Sequence, residues 1–176
     1  MKGPSRTASL LSGPLFKTRG EPQPLFFIDT STLIYLDKIA VLSSVCQVFA
    51  VVTIRSVFTE FGREIDGIRI LPDTSGSSET DAALFSMVCR YNGVLLSEDG
   101  SLLRRAERRG LPYYNSLMLV CGLCHHGVLD CREGARRIDE LMAFARYGKN
   151  VRTHGGRVFA QVCGQRHAAG ENKEKR

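Results

Sequence analysis

Four short apolar runs, each followed by a segment of helical length, restrict the fold more than any other feature of the chain. They are residues 25–28 (LFFI), 49–53 (FAVVT), 68–71 (IRIL) and 94–97 (VLLS). All are strand-length, rich in β-branched, aromatic or leucine side chains, and bounded by turn or capping residues. Three of the four are continuous rather than alternating. A strand with one wet face alternates, whereas one covered on both faces reads as an unbroken apolar run. Strands of this kind separated by helices predict an α/β fold. The expected form is a three-layer α/β/α sandwich around a central, mainly parallel sheet.

The helices follow from caps and periodicity. Thr30–Thr32 can open a helix reaching about Lys38, with a second over 40–48 and a third over 54–63. Residues 80–91 place Ala82, Phe85 and Cys89 beside a row of Asp81, Leu84 and Val88, the spacing of one helical face. Gly93 and Gly110 read as stops after helices at 80–91 and 99–109. Further helices are expected at 116–126 and at 131–147, where Ile138, Leu141, Met142 and Ala145 recur with helical period.

Charge divides the chain in three. Residues 1–24 hold four basic residues against one acid, and 149–176 hold seven against two. The middle, 25–148, is slightly acidic, with 13 basic and 15 acidic residues. The expectation is one domain at 25–148 between two basic tails, the first broken by Pro4, Pro14, Pro22 and Pro24 and the second rich in Gly. Within the second, RVFAQV (157–162) could add a strand. Basic ends suit nucleic acid through counterion release and also suit solubility. The basic start weakly resembles an organelle transit peptide, but a plain tail is the preferred reading. No apolar run approaches the roughly 20 residues of a membrane helix, and no secretory core is visible. A cytoplasmic protein with no membrane partner is expected, its six cysteines reduced and mostly buried.

Against this frame the acids stand out. In a parallel sheet ligands gather beyond the C-terminal strand ends, where strand order reverses. Asp29 ends the first strand, and Glu98 and Asp99 follow the fourth. Asp81 lies in a helical first turn and Glu60 in the helix after the second strand. Each alone could be a cap or a solvated helix residue. Together at one sheet edge they would repel one another, and a hard divalent cation removes that penalty. Such an ion can polarise a phosphodiester and activate water.

The stretches FFIDTSTLIYL, VTIRSVFTEFGRE and ETDAALFSMVCRYNGVLLSEDGSLLRRAERRGLPYY resemble the PIN-domain nucleases, a family that includes toxins of bacterial toxin–antitoxin pairs. The likeness covers about 25–130. On it, Asp29 is the first acidic ligand with Ser31 as its supporting hydroxyl, and Glu60 is the second. Asp81 and Asp99, eighteen residues apart, are the third and fourth, with Ser97 in the hydroxyl place. Glu79 and Glu98 are alternates for the neighbouring roles. The resemblance implies Mg2+ or Mn2+ bound by Asp29, Glu60, Asp81 and Asp99. It also implies hydrolysis of an RNA substrate, homodimers and an antitoxin-like protein partner. The runner-up is a PIN-like RNA-binding or assembly module without activity.

Three other patterns compete. Cys121-x-x-Cys124-His125 has the spacing of a haem attachment site or half a zinc site, but lies in a segment that reads as helix core. Another phosphoryl-transfer family begins with Asp-x-Asp after its first strand, and here the second acid is replaced by Ser31. The run Arg104, Arg105, Arg108 and Arg109 reads first as a solvated helix face, and as RNA contacts on the nuclease reading.

Overall fold

The computed structural model describes residues 10–17, 22–73 and 79–171, with side chains to residue 166. Five strands, β1 (Phe26–Ile28), β2 (Val51–Ile54), β3 (Arg69–Leu71), β4 (Val94–Leu96) and β5 (Tyr113–Tyr114), form one sheet in the order β3-β2-β1-β4-β5. Every pairing is parallel, with Phe27 opposite Val52 on one side and Leu95 on the other. Eight helices surround it: α1 (Thr30–Lys38), α2 (Leu42–Val48), α3 (Arg55–Phe61), α4 (Thr80–Tyr91), α5 (Gly100–Arg108), α6 (Ser116–His125), α7 (Cys131–Met142) and α8 (Lys149–Glu171). The expected α/β sandwich is the fold. Helices α1, α2 and α3 pack together, α4 lies against β1, β2 and β4, and α5 against β5. The connection from β3 crosses the sheet to β4, so strand order reverses between β1 and β4.

The continuous runs are buried as their composition requires. Phe26, Phe27, Ile28, Leu95 and Leu96 are fully buried and lie at the centre of the core. Gly93 is where it is for packing rather than for a turn. A Cβ there would stand 2.6 Å from the Phe27 ring, and the turn that ends α4 is made by Asn92 in the left-handed region. Among the described residues no single helix is long and apolar enough to cross a membrane.

Both expected tails need correction. In the first, residues 13–17 dock: Pro14–Phe16 form a 3-10 turn whose Leu15 and Phe16 are buried, with the Leu15 side chain packed on Gly122 of α6. Residues 1–9 and 18–21 lie outside the described residues. In the second, 149–171 is the longest helix among the described residues, not a Gly-rich coil or a strand. Val158 and Val162 are buried, and α8 packs along α6. Glycines lower helix propensity, but tertiary burial outweighs about 1 kcal/mol per residue. Gly155 is needed, because a Cβ there would collide with Leu117. The expected reduced state of all six cysteines is also corrected. Cys131 at the start of α7 is bonded to Cys163 in α8, with Cα atoms 5.9 Å apart, while Cys46, Cys89, Cys121 and Cys124 are free thiols. Helix α7 stops at Met142, five residues before the expected Tyr147.

Candidate functional site

Asp29 follows β1 directly and is only 5% exposed. It N-caps α1, accepting from the Thr32 amide at 2.7 Å. The Ser31 hydroxyl donates to its two oxygens at 3.0 Å, and the Ser97 hydroxyl donates to Oδ2 at 2.5 Å. Burial pushes the Asp29 carboxyl above its usual range while these donors pull it back. Ser97 comes from the end of β4, so its bond closes the crevice where strand order reverses. The same Oγ accepts the Asp99 amide at 3.0 Å, which fixes the start of the next loop.

Asp99 N-caps α5, accepting from the amides of Ser101 at 2.6 Å and Leu102 at 3.4 Å. It is exposed, and those bonds, with Arg104 adding to them, hold its carboxyl below the usual range. Glu60, near the end of α3, accepts from the Thr30 hydroxyl at 2.8 Å, one residue beyond Asp29. Asp81 sits in the first turn of α4. Partial burial raises its carboxyl first, and the charges of Asp29, Asp99, Glu60 and Glu79 raise it further. Those four acids come from different elements, and Asp81 feels them all. A hollow of about 390 Å³ is lined by Glu60, Glu79, Thr80 and Asp81.

Of the two alternates, Glu79 lines this hollow and Glu98 does not face it. Glu98 Oε1 accepts from the Ser116 amide at 2.7 Å and hydroxyl at 2.6 Å, and Oε2 accepts from the Tyr147 hydroxyl at 2.6 Å. Burial raises its carboxyl despite these bonds. Glu98 therefore ties the strand end that carries Ser97 and Asp99 to α6 and to the segment after α7. Nothing in local spacing announces Ser116 or Tyr147 as its partners, 18 and 49 residues away.

The basic run divides. Arg105 lies over the Phe85 ring at 4.1 Å and joins α5 to α4. Arg104 Nη1 folds back to within 3.2 Å of the Cβ position of Gly100, beside Asp99. Arg108 and Arg109 are exposed. The Cys-x-x-Cys-His segment is α6, and Cys121 and Cys124 are buried in it. Burial pushes their thiols up to about 12 and about 11, far from the thiolate form that binds metal.

Among the described residues no three His, Cys, Asp or Glu side chains are close enough to hold a metal ion as they stand. The chemistry of the donors still suits one class of ion. All are carboxylate or hydroxyl oxygens, which favour Mg2+ or Mn2+ over softer metals. Mg2+ commonly keeps several waters and takes only one or two carboxylates. The neighbouring charges that add to burial in raising the Asp81 carboxyl are a repulsion that such a cation would relieve. No protein-family model matches the chain, and no curated protein matches it significantly.

Proposed function

We propose that the protein hydrolyses phosphodiesters with a bound Mg2+ or Mn2+, as an endoribonuclease of the PIN class. The observation that carries the reading is the gathering of acids around Asp81, whose carboxyl is raised by partial burial first and then by the charges of Asp29, Asp99, Glu60 and Glu79, at one edge of a parallel sheet. A fold gains nothing from such mutual repulsion, and a cation site accounts for it. Asp29, Glu60, Asp81 and Asp99 would hold the ion, which would polarise the phosphodiester and supply an activated water. Ser31 and Ser97 keep the buried Asp29 carboxylate in one orientation. The Thr30 hydroxyl does the same for Glu60. Amide bonds keep Asp99 ionised, and Arg104 beside it can meet a substrate phosphate. On this reading the substrate is RNA, the chain works in the cytoplasm, and an antitoxin-like partner or a second copy restrains or completes it.

The test is Mn2+-dependent cleavage of single-stranded RNA by the wild type, Asp29→Asn and Asp99→Asn. The wild type should cut and both variants should lose at least a hundredfold while remaining folded. Equal cleavage by all three would sink the assignment. The spread of the acids, too open to form a ready three-ligand cluster, favours the inactive RNA-binding module as second reading. RNA binding without cleavage by the wild type would select it.

A further inference from the structure

A mostly apolar hollow lies beside the acidic edge and has a different chemistry. It encloses about 420 Å³ between α5, β5, α6 and the first turns of α8. Leu103, Tyr113, Asn115, Met118, Asn150 and His154 are among its walls. This is the size at which small-molecule sites begin. It combines apolar and aromatic side chains with amides, the mixture that a planar, hydrogen-bonding ring requires. Tyr113 stands beside Glu107 of α5, whose charge adds to partial burial in raising its phenol. Asn115 uses its side-chain oxygen to cap α6 through the Met118 amide, which leaves its two N–H groups to point elsewhere.

The hollow connects to the acids by two short links. Ser97 donates its amide to Tyr114 O at 3.1 Å, so β5 is one strand over from the Asp29–Ser97 pair. Leu103 donates its amide to Asp99 O at 2.9 Å, so it is one helical turn along from Asp99. Each step is about 5 Å. Arg104, next to Leu103 and beside Asp99, is placed to meet the intervening phosphate. The sheet edge adds readout groups. Pro112 O and Tyr114 O bond to β4, and strand alternation then turns the Tyr113 N–H and C=O to the open edge of β5.

We infer that this hollow is a nucleobase subsite that receives an unpaired base of single-stranded RNA next to the scissile phosphate. The inference rests on the nuclease reading above and adds to it a base-binding pocket outside the acidic edge. A base in a duplex has its edges paired and its faces stacked, so only an unpaired base can enter. Stacking against aromatic side chains is sequence-tolerant, while the amides supply a preference among bases.

The subsite is tested on the full chain in EDTA, where cleavage is off. The four ribonucleoside 5′-monophosphates are titrated and followed by amide NMR shifts. One at least should shift Tyr113, Asn115 and Val151, and His154→Ala and Asn150→Ala should each weaken it by fivefold or more. Both positions are exposed, and neither variant should alter folding. A single-stranded RNA carrying one abasic residue should bind the wild type at least fivefold more weakly than the intact RNA, and bind His154→Ala with little further loss. No shift at these amides with any of the four nucleotides, or equal binding of abasic and intact RNA, overturns the subsite. RNA cleavage abolished by Asp29→Asn would then leave the nuclease reading standing alone. Nucleotide shifts at the hollow with cleavage indifferent to Asp29→Asn would instead remove the nuclease reading and keep the hollow.

Discussion

Asp29→Asn separates a structural cap from a functional carboxylate by the sign of its effect on stability. The substitution keeps the shape and, through Asn Oδ1, the 2.7 Å bond from the Thr32 amide. The amide nitrogen then faces Ser97 Oγ, which already accepts the Asp99 amide and has a second lone pair for it. What is lost is the charge assistance of the two serine hydroxyl bonds, about 1 kcal/mol each. What is gained is larger. An ionised carboxylate this buried costs several kcal/mol, and its charge also burdens Asp81 and Glu98. The net is a gain of about 1–2 kcal/mol near pH 7.5, or an upward Tm shift of about 2–8 °C for a chain this size.

The pH dependence fixes the interpretation. The folded-state pKa of Asp29 is raised above its unfolded value of 3.8. A raised carboxyl favours folding while protonated, and that contribution is lost as pH rises through the folded pKa. The advantage of Asn should therefore be full at pH 7.5 and fade as pH falls toward 3.8. Urea unfolding followed by circular dichroism in EDTA at pH 7.5 and pH 4 measures it. Adding Mn2+ at a hundredfold its dissociation constant should stabilise the wild type by about 2.7 kcal/mol and the variant far less. A variant destabilised by 2 kcal/mol or more at pH 7.5 would mean that Asp29 serves the fold as a cap. Equal stabilisation of both by Mn2+ would refute the metal argument.

Three further substitutions test the supports of the site. Tyr147→Phe removes a 2.6 Å bond to half-buried Glu98 and should cost about 1.5–3 kcal/mol by urea unfolding; no loss would mean that Glu98 is not braced from that side. Cys163→Ser opens a cross-link between residues 32 apart, and the unfolded-state entropy regained corresponds to about 3–4 kcal/mol of lost stability. Peptide mapping without reductant should recover the Cys131–Cys163 pair from the wild type. Gly155→Ala improves helix propensity by about 1 kcal/mol but drives a methyl into Leu117, and should still lower stability by about 1–3 kcal/mol.

The sheet was legible because its strands are covered on both faces. FFI, VVTI and VLL carry their burial in composition alone, and the boundaries of α1 and α4 matched the caps and periodicity at Thr30–Lys38 and Thr80–Tyr91. Helix α8 was not legible, because its apolar positions are few and its glycines mimic a coil. Only the surface of α6 explains Gly155, Val158 and Val162, and no local signal points from one helix to the other. The Cys131–Cys163 bond was hidden for the same reason, since it follows from how α7 and α8 dock. Asp29, Ser31 and Ser97 could be read at the site because strand ends are local features and parallel topology brings them together. Glu98 could not be assigned, since its neighbour Asp99 differs from it only in which way the side chain turns.

That difference between adjacent acids bears on how the edge is built. Asp99 is exposed and held ionised by amides at a helix start, which costs the fold nothing. Glu98 is turned inward, yet its bonds to Ser116 and Tyr147 make it a strut between β4 and α6. Asp29 has neither excuse. A serine or asparagine would cap α1 as well without placing a charge in the core, and two hydroxyls are committed to keeping that charge oriented. Oriented, desolvated and charge-coupled to Asp81 and Glu98, it has the properties a hard cation needs and a helix cap does not. On the proposed nuclease reading a stability loss at Asp29 would be the physical sign of function at this edge, which is why the sign of the Asp29→Asn effect, more than its size, discriminates between the two roles.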